Sequence, residues 1–247
     1  MSGPAAAKQF FIGWDVGGWN CDRNRSSRDA IVILDTERRI VGTPWRGNLR
    51  QAIASAAETR DWVENLFRLC RTEPPGESFR AILAIDTPLG FPADFIRLVC
   101  DGEWVEPGND SGANEYLFRR TERRLRDAGR SPLSAIKDMI GSQATKGMHA
   151  VAKFAPVVER CGVWTDGQWL VAFETYPAAC RETPTVQALL RGCPQLKPDD
   201  CRDALICALI AYVFATNPGD LEPPERDAPP GEGWIWLPSE SYRKASS

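Results

Sequence analysis

The order of apolar runs predicts an α/β fold: a three-stranded meander, then strands separated by helices, in a mixed sheet with helices over both faces. Three observations support it. Short, almost wholly apolar runs end in turn residues. Segments of helical periodicity lie between the later runs. The 247-residue chain shows no internal repeat, and its length suits one mixed domain with a sizeable core.

FFIGWDVGG, from residue 10, reads as a buried strand closed by Asp15 and a glycine turn. DAIVILD (29–35) is a second strand, TERR a turn, and RIVGTPW (39–45) a third. From 49 to 70, apolar residues recur at Leu49, Ile53, Ala56, Val63, Leu66, Phe67 and Cys70, which is helical spacing. AILAID (81–86) is a short strand ended by Thr87-Pro88. A helical insert is expected over about 92–160, with a basic helix in 113–129 and another over 142–155. WLVAFET (169–175) returns as a strand, and Pro177 can open a short helix. DDCRDALICALIAYVFAT (199–216) is a helix with Leu205, Ala208, Leu209, Tyr212 and Val213 on one face. A Pro-rich acidic loop (217–233) leads to GWIWLP (233–238), then to a tail expected to fray over about 239–247. The expectation is one domain over 1–247.

Composition excludes several chemistries. The single histidine, His149, leaves no basis for a multi-histidine zinc site and makes a Ser-His-Asp triad depend on an ordinary helix position. None of the eight cysteines forms a Cys-x-x-Cys pair, and several sit among apolar residues. They read as reduced thiols, and the expected location is cytoplasmic. No apolar run approaches the roughly 20 residues of a membrane span, so no membrane partner is expected. Net charge is −3, which argues against coating nucleic acid through global positive charge.

FIGWD, AILAID and LVAFE share one form, an apolar run ending in Asp15, Asp86 or Glu174. If these strands are parallel neighbours, the three acids meet at one sheet edge, where open α/β sheets bind ligands. Clustered carboxylates repel and need a cation or a shared proton. Hard, oxygen-loving Mg²⁺ or Mn²⁺ is the natural partner. Each acid has a simpler reading: Asp15 as a turn former, Asp86 as a loop cap, Glu174 as the partner of an arginine. Asp35 also ends an apolar run, but its hairpin turn puts it at the opposite edge. In the 199–216 helix, Asp200 and Asp203 share a face. Asp199 and Asp200 suit a helix's first turn, whereas Asp203 lies further in and is the better functional candidate.

WDVGG, AIDTPLGFP, YLFRRTERRLRDAG…PLSAIKDMIG, FETYP, DDCRDAL and EGWIWLP occur in this order. The ordered set resembles domain-of-unknown-function family 429, predicted nucleases with a ribonuclease H-like fold. More distantly, an acid on the first strand, one ending the fourth and an Asp-x-x-Asp on the last helix are similar to the tetrad of RuvC-type junction resolvases. That resemblance implies metal ligands at Asp15, Asp86, Asp200 and Asp203, although resolvases carry glutamate at the place of Asp86. It also implies hydrolysis of phosphodiester bonds by two divalent ions about 3.5–4 Å apart, with nucleic acid as the partner.

Arg119, Arg120, Arg123, Arg124, Arg126 and Arg130 crowd the insert. Arg119, Arg120 and Arg123 are candidates for contacting substrate phosphates, against the plainer reading of a solvated helix face with local ion pairs. Two other functions remain open. One is a phosphotransferase or phosphatase of the actin-like ATPase class, which opens with a similar Asp-x-Gly-Gly turn. The other is a non-catalytic binding module on the same scaffold.

Overall fold

The computed structural model describes residues 7–24, 26–108 and 114–244. The first strand, β1 (Lys8–Asp15), runs antiparallel to β2 (Asp29–Leu34), which pairs with the short β3 (Trp45–Gly47). The predicted third strand is thus mostly loop. Ile40 makes a lone bridge to Leu34, and Gly42, at φ +74°, and Pro44 interrupt the run that follows. Periodicity over 49–70 resolves into α1 (Arg50–Ser55) and α2 (Thr59–Leu69). The chain extends at Ala56 and Glu58, and the Asp61 carboxylate accepts the Ala57 N–H.

Next come β4 (Phe79–Asp86), parallel to β1, and three insert helices, α3 (Ala93–Asp101), α4 (Arg120–Asp127) and α5 (Gly141–Phe154). The expected insert does not stay helical to 160. Its end enters the sheet as β5 (Val157–Arg160), in a hairpin with β6 (Val163–Thr165) about a turn in which Gly162 has φ +72°. Then β7 (Leu170–Glu174) lies antiparallel to β6 and parallel to β4. The short helices α6 (Pro177–Cys180) and α7 (Pro184–Leu190) precede α8 (Asp199–Thr216). The result is a seven-stranded open mixed sheet, ordered β3-β2-β1-β4-β7-β6-β5.

Strand alternation divides the core. Phe11, Val32, Ile82, Ala84, Val171 and Phe173 face α8, whereas Ile12, Trp14, Ile31, Leu83, Ile85 and Ala172 face α1, α2 and α5. Helix α8 is buried on nearly every side, not along one stripe, because α6, α7 and residues 234–237 cover its back. It lies close to the sheet because Gly13 lacks a side chain: a Cβ there would stand 1.9 Å from the Ala204 carbonyl oxygen. The segment 233–238 forms no strand and makes two isolated bridges, Ile235 parallel to Glu174 and Pro238 antiparallel to Leu221. The predicted tail begins as an ordered 3-10 turn, Ser239–Tyr242, with Ser241 buried and the Tyr242 hydroxyl donating to the Ile235 carbonyl at 2.6 Å. Among the described residues, no helix is long and apolar enough to cross a membrane.

Candidate functional site

Asp15 and Asp86 are in-register partners at the C-terminal ends of β1 and β4. Each lies two residues beyond a residue that faces α8, Gly13 and Ala84, so both carboxylates stand on the α8 side of the sheet. The approach of α8 over Gly13 brings Asp203, one residue before Ala204, to the same edge. Among the described residues, the carboxylates of Asp15 and Asp86 have no hydrogen-bond or ion-pair partner. Asp203 is held only at 3.4 Å by an Arg181 Nη, and its Oδ1 is buried without a partner.

Burial raises the pKa of Asp15 well above the ordinary carboxylate value, and Asp86, Asp203, Asp200 and Asp29 raise it further. Asp86 is raised in the same sense by burial, then by Asp203 and Glu174, with Arg181 opposing. Burial also raises Asp203, against the pull of Arg181 and Arg202. The three acids therefore form one electrostatic group that nothing described on the chain fully neutralises.

Glu174 does not join them. It pairs with Ile85, not Asp86, and so emerges on the opposite face. There both its oxygens accept from Arg119, at 2.6 and 2.7 Å, and the Leu89 N–H adds a third bond at 2.9 Å. A carboxylate so occupied is a structural anchor, which sets Glu174 apart from the other catalytic candidates although it borders the same cavity. Asp200 is likewise committed, accepting from Arg46 Nε at 2.7 Å and from the Arg28 N–H at 3.1 Å. It contributes charge to the site, but is already paired, which sets it apart from the other three expected metal ligands.

The arginines expected to meet phosphate are also spoken for. Arg119 is 1% exposed, clamped by Glu122 and Glu174 and bonded to the Glu232 carbonyl. Burial works against its charge, but Glu122 and Glu174 outweigh that and hold it protonated. It cannot reach a ligand, and the expectation of phosphate contact is corrected. Arg120 binds Glu225 and Asp227, at 2.5 and 2.7 Å, and Arg124 binds Glu222 and Glu225. Arg123 stands 3.6 Å from Glu115. The basic helix thus clasps the acidic loop at 217–233, a pairing between distant segments that local charge spacing did not foreshadow.

Two buried residues missed in the sequence support the site from below. Asp29 opens β2, fully buried, and accepts from the Trp14 indole, the Gly17 N–H and the Leu49 N–H. Lys146 of α5, also fully buried, pairs with Asp29 and donates to the Gly17 and Gly18 carbonyls at 3.3 Å each. Together they fix the glycine turn that follows Asp15. The Gly17 N–H is used within the fold, so it is not free to cradle a phosphate.

A cavity of about 210 Å³ opens over the acids. Asp15, Asp86 and Thr87 line one side, Pro132, Leu133, Ile140 and Gln143 of the insert another, and Glu174, Tyr176 and Ile235 are also in its wall, whereas Asp203 stands behind it. As placed, no three histidine, cysteine, aspartate or glutamate side chains among the described residues converge closely enough to hold a metal ion. The donor chemistry nevertheless suits a hard divalent cation: two carboxylates with no described cation, and a third, Asp203, with one long contact to Arg181 and a buried oxygen that has no partner. The nearby thiols of Cys180 and Cys207 are held protonated by burial and by Asp86, which disfavours a soft metal.

Fold and site together define an α/β protein with an acid-lined cleft at the C-terminal edge of its parallel strands. Comparison with protein-family models, with curated proteins and with solved structures finds no match for this chain.

Proposed function

We propose that this chain is a divalent-metal-dependent hydrolase of phosphodiester bonds, a nuclease on a ribonuclease H-like scaffold related to domain-of-unknown-function family 429. The observation that carries the reading is the pairing of Asp15 with Asp86 in register, on one face, with Asp203 beside them and no described cation bound to the first two. The strand order supports the scaffold, since antiparallel strands at one end lead into the parallel trio β1, β4 and β7.

In this reading Asp15, Asp86 and Asp203 hold Mg²⁺ or Mn²⁺. Such ions, when bound, supply Lewis-acid polarisation and an activated water. The chain supplies the rest. Lys146 and Asp29 fix the turn after Asp15, Arg181 keeps Asp203 at the sheet edge, and the insert walls the cleft. The actin-like ATPase reading is disfavoured because the Gly17 N–H is bonded to Asp29.

The test is a thermal-shift titration with Mg²⁺ and Mn²⁺, paired with cleavage of labelled oligonucleotides. Wild type gains melting temperature and cleaves; Asp15→Asn does neither while remaining folded by circular dichroism. Equal metal shifts in both proteins, or cleavage by the variant, would refute it.

A further inference from the structure

The cavity over the acids says what can enter. Its volume, about 210 Å³, is below the roughly 300–1,000 Å³ of sites for drug-sized ligands. Among the described residues, its lining includes no lysine or arginine. Leu133, Ile140, Pro132 and Tyr176 instead offer apolar and aromatic surface, the kind on which an unstacked base rests.

The wall is built in advance. Ser134, fully buried, bonds the Leu117 carbonyl through its hydroxyl, and its N–H donates to Asp138 at 2.8 Å. The same hydroxyl accepts the Ile136 and Lys137 N–H groups. From the other side, the Tyr176 hydroxyl reaches the Ser131 carbonyl at 3.4 Å. Leu133 is left 47% exposed by this arrangement, although it lines the cavity. Thr87 gives a second, independent sign of a ligand. It is 5% exposed and lines the cavity, and its Oγ1 has no hydrogen-bond partner. A buried hydroxyl without a partner costs stability unless something polar meets it. Gln143, at the insert wall, carries an amide that can both donate and accept.

We infer that the cavity receives one unpaired nucleotide of a single strand, its base against Leu133, Ile140 and Tyr176, its phosphate toward Asp15 and Asp86. The inference rests on the hydrolase reading and adds the substrate class: single-stranded nucleic acid or a single-stranded end, and neither a blunt duplex nor a four-way junction. Entry of a base pair is barred by size, and the insert provides the bar.

The experiment measures fluorescence anisotropy of labelled oligothymidylate, oligouridylate, a blunt duplex and a four-way junction with the full chain in Ca²⁺. Single strands are expected to bind at least tenfold more tightly than the duplex or the junction. The DNA and RNA arms show which sugar is accepted. Leu133→Trp fills the cavity from an exposed position and should weaken single-strand binding about tenfold while leaving the Mg²⁺-induced melting shift intact. Thr87→Val keeps the side-chain shape, and should hold or raise melting temperature yet weaken binding severalfold. Duplex binding as tight as single-strand binding, or wild-type affinity in both variants, overturns the inference while the metal shift keeps the hydrolase reading alive. Loss of the metal shift in wild type overturns both.

Discussion

Replacing Asp86 by Asn isolates the repulsion on which the site depends. Asp15 and Asp86 sit on adjacent in-register strands, about 4.8 Å apart in the backbone. With the carboxylates roughly 5–7 Å apart and an effective dielectric near 20, their mutual repulsion is roughly 2–3 kcal/mol when both are ionised. Burial and the surrounding acids lift both pKa values above the ordinary carboxylate value of 3.8. The sign follows by linkage. The stability associated with these groups is fully present below the ordinary carboxylate range and is lost as pH rises through their raised values. Asp86→Asn, nearly isosteric and uncharged, removes that loss. In metal-free buffer at pH 8 it should therefore be more stable than wild type by up to about 2–3 kcal/mol, or about 4–12 °C for a chain of this size. Near pH 3 the two proteins should melt together. Adding Mg²⁺ to a hundred times its dissociation constant should raise wild type by about 2.7 kcal/mol and the variant by far less. Differential scanning fluorimetry across pH, with and without Mg²⁺, reads all of this. A variant less stable than wild type at pH 8, or a difference independent of pH, would refute the reasoning.

Two further predictions concern the corrected residues and the packing of α8. Arg119→Ala should destabilise the fold by about 3–5 kcal/mol in urea unfolding, since it strands Glu174 and Glu122 without their buried partner. Arg120→Ala, at a half-exposed pair, should cost less than about 1 kcal/mol; similar losses for the two would undo the assignment of Arg119 as a structural clamp. Gly13→Ala places a methyl group against the Ala204 carbonyl and the Ala208 N–H. It should cost about 1–3 kcal/mol or more and weaken the Mg²⁺ shift as α8 carries Asp203 away. An unchanged shift would mean that Asp203 does not act with Asp15.

The strands that build the site were legible because each is a short apolar run that stops at a charge. Asp15 and Asp86 could be placed from that pattern, and Asp35 could be set aside because TERR turns back at once. In the structure Asp35 indeed accepts the Glu37 and Arg39 N–H groups in a tight turn. Glu174 misled because a shared strand form does not fix register. It lies one residue out of step with Asp86, and one residue reverses the face. The hairpin β5–β6 was missed although Val157, Val158, Gly162 and Val163 carry a β-branched run about a glycine turn. Flanking helical spacing hid it. Pairing between Arg120 and Glu225, or between Lys146 and Asp29, joins segments more than a hundred residues apart. Nothing in local spacing encodes it.

The distribution of cations among the acids separates structure from function. Around the C-terminal edge stand six carboxylates, Asp15, Asp29, Asp86, Glu174, Asp200 and Asp203. Three have a close cation from a remote segment: Asp29 takes Lys146, Glu174 takes Arg119 and Asp200 takes Arg46. These pairs knit α5 and the insert to the sheet, and α8 to β3. Asp203 has only a long contact to Arg181, and Asp15 and Asp86 have no described partner. A chain shaped for stability alone could replace any of the last three by asparagine, relieving the repulsion without loss of volume. The paired carboxylates hold the fold, and the two with no described cation, Asp15 and Asp86, line a cavity that the Arg119-bound Glu174 also borders. Stability given up at one concave site, with paired charges all around it, is the physical pattern of a binding or catalytic centre. Asp15, Asp86 and Asp203 are thereby set apart from the six acids by charge pairing alone, and the pH dependence of Asp86→Asn is the measurement on which the functional reading turns.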